Sequence, residues 1–231
     1  MWSDLVALLP GLALSVQLTV ASLAVGLPLG LAAGLVLHEG GRMQRWSVLA
    51  ATELGRGFPA LVTVYLVYFG LPEAGVVLAG FTAMVVAFGF ITASYTADIF
   101  RTALSAIPTS QLDAAAALGL SRWVTLRRVV APQAVKIVLV PLLGFAIIVF
   151  QASALAYSIG LRELLSRAYD RGTLSFDVMR SLLIAAVLYL VVSLALGHIT
   201  KAVQRRTDPT HSSLPAGTRT ILRRTLERSL S

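Results

Sequence analysis

The side chains that enzymes use to make and break bonds are present but scattered. His38, His198 and His211 stand far apart and flank no acidic cluster, and the chain has no cysteine. Neither an imidazole nor a thiolate metal site can be assembled from such neighbours. No serine sits in a nucleophile elbow. The phosphate-cradling pattern GxxxxGK[ST] is missing, and the dipeptide Gly-Lys does not occur at all. The chain therefore reads as non-catalytic, with no cofactor or metal of its own. Two other kinds of chemistry remain. Gln17, Thr19, Thr63, Gln151 and Ser153 are polar groups inside long apolar stretches, where an amide must meet a partner helix or a water-filled path. Gln151 and Ser153 form the candidate translocation-pathway pair, with an interhelical hydrogen bond as the alternative for Gln151. The second kind is mechanical and lies in a polar segment, residues 98–136, rich in helix-start and helix-stop residues.

The elements that position these groups follow from where charge is missing. Of 231 residues, 57% are apolar and 13% are charged, about half the charge of a soluble domain. So little polar material cannot cover a globular surface, and the bilayer is the expected solvent. Leu5–Leu37, Ala74–Ala97, Ile137–Leu161 and Ser181–Thr200 contain no Asp, Glu, Lys or Arg. Each is long enough to cross a hydrocarbon core about 30 Å thick as a helix. Gly57–Pro72 would span only about 24 Å. It is expected to borrow turns from its amino-terminal side, where Glu53 and Arg56 lie one turn apart; a re-entrant hairpin is the alternative. The first stretch is too long for a signal peptide and follows no Lys or Arg, so it stays as a span. Gly26, Gly30 and Gly34 fall on one face of it, as for a close helix or subunit contact; the alternative is the ordinary frequency of glycine in membrane helices.

Five spans sort the basic residues by side. Arg42, Arg45, Arg56, Arg101, Arg122, Arg127, Arg128, Lys136 and seven residues of the tail make fifteen on one side. Arg162, Arg167, Arg171 and Arg180 are four on the other. By the positive-inside rule the fifteen are cytoplasmic, the amino terminus is outside and the carboxyl terminus inside. The net charge of +8 thus reflects topology and attraction to anionic lipid, with no need for nucleic acid. Arg162–Arg180, which also holds Glu163, Asp170 and Asp177, faces the exterior.

The 98–136 segment has its own internal order. Pro108 breaks the chain, Ser110 is placed as an N-cap and Asp113 follows three residues later, as in a capping box. Leu112 and Ala114–Leu118 are strong helix formers, and Gly119 suits the left-handed position that ends a helix. Ser121 is placed to cap a second short helix, Arg122–Val130, which Pro132 is expected to stop. Helix, glycine corner and helix make a stiff knob of a shape suited to a groove on a soluble partner.

Gln111-Leu-Asp-Ala-Ala-Ala-Ala-Leu-Gly119, followed by Pro132-Gln133-Ala134, resembles the EAA loop of permease subunits of ABC importers, nearest to the polar-amino-acid branch. Arg56-Gly-Phe-Pro-Ala-Leu-Val, Val67-Tyr-Phe-Gly-Leu-Pro72, Tyr95-Thr-Ala-Asp-Ile-Phe-Arg101 and Ile159-Gly-Leu-Arg-Glu-Leu164 agree with that branch. The resemblance implies an all-α integral membrane protein of five transmembrane helices, like the permease of a type I importer, with a cytoplasmic coupling loop. It implies ATPase-coupling roles for Gln111, Asp113, Ala114, Ala115, Gly119 and Arg122. It also implies a cytoplasmic ABC ATPase dimer that uses ATP and Mg, a second permease subunit, an extracytoplasmic solute-binding protein and an inner-membrane location. The cargo would be a polar amino acid or similar small solute. Asp113 stands where the family usually has Glu, Phe58 replaces a usual Thr, and Gln151-Ala-Ser-Ala-Leu155 replaces a usual Lys-Asp-Thr-Ser-Leu, which leaves an opine open as ligand. The competing reading is a passive channel or secondary carrier in which the loop is only structural.

By composition the chain divides into a transmembrane part, 1–203, which the resemblance implies is the permease domain, and a basic tail, 204–231. Asp208–Gly217 reads as a linker. Beyond it Ile221, Leu222, Leu226 and Leu230 alternate with arginines, as in a surface-lying amphipathic helix; a disordered basic tail is the alternative.

Overall fold

A computed structural model describes residues 2–207, and among them every regular element is a helix. In chain order these are α1 (Trp2–Glu39), α2 (Arg42–Gly57), α3 (Ala60–Glu73), α4 (Gly80–Ser105), α5 (Thr109–Ala117), α6 (Arg122–Ile159), α7 (Leu164–Ser175) and α8 (Val178–Thr207). Four of them, α1, α4, α6 and α8, are long and apolar enough to cross a membrane. The α2–α3 pair, bent by 107°, is the candidate for a fifth traverse.

Contacts fix the direction of each traverse. Gly26 faces Thr92 and Gly89, Gly30 faces Thr96, and Gly34 faces Ala97 and Phe100. The His38 Nδ1 and Ser105 Oγ atoms lie 3.4 Å apart at the shared end. Consecutive spans α1 and α4 are therefore parallel, which requires the chain between them to return. It does: Gly55 packs on Ser94, and Val64 joins Met84, Ala87 and Phe88 in the core, before α4 starts at Gly80. That descent selects a broken span over a hairpin. Helix α6 then runs antiparallel to α4, with Phe145 stacked on Tyr95 at 5.5 Å and Leu161 against Gly80. Helix α8 begins where Leu182 and Ala185 meet Leu8 and Leu164, so it is parallel to α1. Arg42, Arg45, the α5 segment and Lys201–Arg206 consequently share one end of the bundle, and α7 lies at the other. The charge sorting and the chain path agree.

The glycine ladder is an internal seam. A Cβ on Gly34 would lie 2.8 Å from both the Ala97 carbonyl oxygen and Phe100 Cβ, and Gly26 and Gly30 are closer still to Thr92 and Thr96. Small residues of this kind let backbones approach where burial gives no drive. Around the seam Leu18, Val64, Met84, Ala87, Phe88, Val149, Ala156 and Ile159 form the main core.

Three expectations need correction. The second traverse does not extend straight back into α2. Pro59 disfavours a helical residue before it, Phe58 is extended (φ −81°, ψ 137°), and α2 leaves at the bend. The capping box at Ser110 does not form: Pro108 occupies the cap position and no side chain caps the helix, so Ser110 and Asp113 fall two residues too far in. Pro132 does not stop the second arm of the loop. A π turn over Leu126–Val130, closed by the Ala131 N–H on the Leu126 carbonyl, carries the helix through it, since a wider turn relieves the clash of the proline ring with the preceding turn. The other π turn, Leu66–Gly70, likewise ends two residues before Pro72. At the carboxyl end α8 runs unbroken to Thr207; the linker and amphipathic helix expected beyond it lie outside the described residues.

Replacing Gly30 by Leu would force α1 off Thr96. We expect a loss of about 1–3 kcal/mol of stability, the usual cost of overpacking, read as a lower melting temperature of the purified protein in detergent, with Gly144→Leu, where added atoms meet open space, as the neutral control.

Candidate functional site

The segment between the third and fourth traverses folds as a helical elbow. Helix α5 ends in a Schellman motif: the Leu120 N–H donates to the Ala115 carbonyl at 3.1 Å and the Gly119 N–H to the Ala116 carbonyl at 2.9 Å. Gly119 has φ +69°, a conformation that costs other residues about 1–2 kcal/mol. Ser121 then caps α6, its hydroxyl accepting from the Val124 N–H at 3.4 Å. The two arms are tied across the corner by Gln133, whose side-chain amide donates to Gln111 Oε1 at 2.6 Å and to the Val129 carbonyl at 2.8 Å. The second bond satisfies an acceptor on the π turn just before Pro132.

The elbow presents a mixed surface. Gln111, Asp113, Ala114, Gly119 and Arg122 are exposed, whereas Ala115 is 4% exposed and faces inward. Ala115 can support the knob but cannot touch a docked partner. Large apolar side chains that helix propensity and spacing do not mark as contacts stand beside the corner: Leu118 is 78% exposed and Trp123 is 67% exposed. Their signal was available, because an apolar residue flanking a glycine corner outside the spans has no core to join.

The pathway candidates do not converge. Gln151 is exposed on α6, and its amide donates to Ser193 Oγ of α8 at 3.2 Å. Ser153 is buried and donates to the Phe150 carbonyl at 2.7 Å. Beneath the elbow, Arg56 binds both Glu53 and Asp98, and Asp98 also pairs with Arg101 at 3.0 Å. That network ties α2 to the end of α4.

At the opposite end Glu163, placed by its sequence among exterior loop charges, is fully buried. Its carboxylate accepts from the Leu165 and Ser166 N–H groups, both at 2.8 Å, and so caps α7. It also accepts from Tyr189 Oη at 2.8 Å and Ser15 Oγ at 3.3 Å, which joins α1, α7 and α8. Burial pushes this carboxyl above its ordinary value, while those four donors pull it back. Nearby, Arg171 and Arg180 reach Asp4 at 3.0 and 3.4 Å, and Arg162 pairs with Asp170 at 3.3 Å. Arg167 donates through Nε to the Arg162 carbonyl at 3.1 Å, so all four arginines on this side serve internal contacts.

Four long apolar helices, a bent pair that is the candidate fifth traverse and a capped elbow on the arginine-rich end define a polytopic membrane protein. Residues 26–209 match the model of the family described as binding-protein-dependent transport system inner membrane component, and the chain belongs to that family. It is 34% identical over 200 residues to the arginine transport system permease protein ArtQ of Bacillus subtilis, covering 86% of this chain and 91% of that protein. It is also 34% identical over 207 residues to the glutamine transport system permease protein GlnP of Escherichia coli, covering 89% and 94%. The crystal structure of an amino acid ABC transporter with histidines superposes with a TM-score of 0.80 at 28% identity, covering 87% of this chain and 94% of that one.

A carboxyl whose folded pKa is raised holds its proton more tightly in the folded state. Its stabilising effect is therefore complete below the ordinary value of 4.5 and is lost as pH rises through the higher folded value. We expect the melting temperature of the parent to fall over that window relative to Glu163→Gln, measured side by side in one detergent; parallel pH profiles would rule out Glu163 as the titrating group.

Proposed function

We propose that this chain is the transmembrane subunit of an ATP-driven ABC importer that carries a polar amino acid or a closely similar small solute. What supports it most is the elbow: a glycine corner, locked at both arms, with Leu118 and Trp123 exposed beside it. A rigid apolar corner is what a groove on a soluble motor can grip. Gln111, Asp113, Ala114, Gly119 and Arg122 form the contact, and Ala115 holds it in shape. The positive-inside rule places the elbow in the cytoplasm, the amino terminus outside and the carboxyl terminus inside.

The rest of the assembly follows from what the chain lacks. It has no phosphate loop, so ATP and Mg are used by a partner ATPase dimer. Five traverses are too few to enclose a path, so a second permease subunit, identical or sister, completes it. An extracytoplasmic solute-binding protein delivers the solute at the α7 end. ATP-driven closure of the motor then shifts the elbow and toggles the spans between inward- and outward-facing states. Gln151 and Ser153 are assigned to the path, Gln151 through exchange of its Ser193 bond for a bond to solute or water. The names of the relatives favour amino-acid cargo; the altered Gln151–Leu155 segment leaves room for an opine.

Gly119 has open space where a side chain would point, so Gly119→Val tests conformation without a clash. Inserted in membranes at normal level, the variant is expected to lose most ATP-dependent uptake. Leu118→Glu, at an exposed position, is expected to cut co-purification with the ATPase by about 30-fold, the effect of losing a contact worth about 2 kcal/mol. Full uptake and full ATPase recovery in both variants would overturn the coupling role, and uptake in vesicles without nucleotide would favour the carrier.

A further inference from the structure

The first arginines after α1 stay outside the ion-pair network formed by their neighbours. Helix α2 packs on α4 through Gly55, which faces Ser94 and Phe90, and Thr52 one turn earlier is buried. Away from that contact, Arg42, Arg45, Trp46, Leu49, Glu53 and Arg56 recur at helical spacing along one face and line a cavity of about 430 Å³. Leu37 and Gly40 at the end of α1, with Asp98 and Arg101 of α4, close its other sides. Its inner part is neutralised by the Glu53–Arg56–Asp98–Arg101 network. Arg42 and Arg45 make no ion pair among the described residues, and four guanidinium groups against two carboxylates leave the lining with an excess of two positive charges.

The apolar part of the lining sets the class of anion. Leu37 ends the uncharged run of α1, so the cavity lies where hydrocarbon gives way to headgroups. Trp46 is 65% exposed and Met43 is 84% exposed at this level, as expected of side chains that anchor an amphipathic helix in the interface. A small soluble anion would use the guanidinium groups and leave Trp46, Leu49 and Leu37 idle. An amphiphile uses both.

We propose that this cavity binds the phosphodiester headgroup of an anionic phospholipid, with Arg42 and Arg45 on the phosphate and Trp46 and Leu49 against the acyl chain. Guanidinium forks match phosphate oxygens two at a time, and basic pockets between spans are recurrent headgroup sites. The site does not depend on the transport reading.

Trp46 reports on it directly. In the full-length chain carrying Trp2→Phe and Trp123→Phe, it is the one remaining tryptophan. In phosphatidylcholine nanodiscs, brominated phosphatidylglycerol should quench it at about one-tenth the mole fraction needed with brominated phosphatidylcholine, a modest return for two interfacial arginines. Arg42→Gln with Arg45→Gln should abolish that preference, and Arg42→Lys with Arg45→Lys should keep most of it, which separates charge from misfolding. Equal quenching by both lipids in the parent, or an unchanged preference in the Gln pair, overturns the site. Relief of quenching by millimolar glycerol 3-phosphate would make it a soluble phosphate-ester site instead and also overturns the lipid assignment. Equal quenching together with lost ATPase co-purification in the Gln pair would reassign the cavity as a protein contact.

Discussion

Hydrocarbon gives two helices no reason to leave their lipid neighbours, so this fold rests on how closely α1 and α4 can approach. Gly26, Gly30 and Gly34 remove the side chains that would hold them apart, and Thr92, Thr96 and Ala97 fill the space from the other side. Because those helices are parallel, the seam also dictates the topology. The chain must return between them, and it does so along the bent α2–α3 path, which Arg56 fastens to Asp98 beside the bend. The same seam brings His38 beside Ser105. It thereby places the end of α1, the α2 cavity and the base of the elbow at one level.

The features legible in the sequence are those decided within a few residues. Four-residue glycine spacing marked the α1 face, and Gly119 and Ser121 marked the corner, because left-handed backbone and hydroxyl capping are local requirements. Long uncharged runs located four traverses for the same reason. What the sequence hid depends on geometry between distant residues or on competition between two local rules. Ser110 and Asp113 fit a capping box by spacing, yet Pro108 starts the helix earlier and the box has no place to form. Pro132 is a helix stop by rule, yet one extra residue in the preceding turn accommodates it. Glu163 reads as a loop charge because it falls in the charged exterior segment Arg162–Arg180. Its burial arises from Ser15, 148 residues away, and Tyr189, 26 residues away.

The two ends of the bundle answer the same problem differently. At the α7 end a single buried carboxylate collects donors from three helices, so removing it would strand a tyrosine hydroxyl and two backbone N–H groups at once. At the elbow end the polar groups are shared among short-range pairs: Gln111 with Gln133, Arg56 with Glu53 and Asp98, and Asp98 with Arg101. A hub of the first kind resists any relative motion of its helices. Of these, only Gln111–Gln133 and Arg56–Asp98 join two elements, and each can be exchanged without the other, which suits an end that receives force under the transport reading.

The continuity of α6 matters most for that force. Had Pro132 ended the second arm, the elbow would hang from the span by a flexible joint and a push at the corner would be absorbed there. Instead the helix runs from Arg122 through the π turn into the span and on to Ile159. Gln133 satisfies the Val129 carbonyl on that turn and holds Gln111 of the other arm with the same amide. One side chain therefore sets both the stiffness of the turn and the angle of the elbow. Beyond the turn lies Gln151, bonded to Ser193 of α8, with no loop between corner and candidate path in which displacement could dissipate. Under the transport reading, a bend at the π turn would strain the Gln133 bonds, so the corner glycine would set the shape of the elbow while Gln133 would help carry motion of that shape to the span.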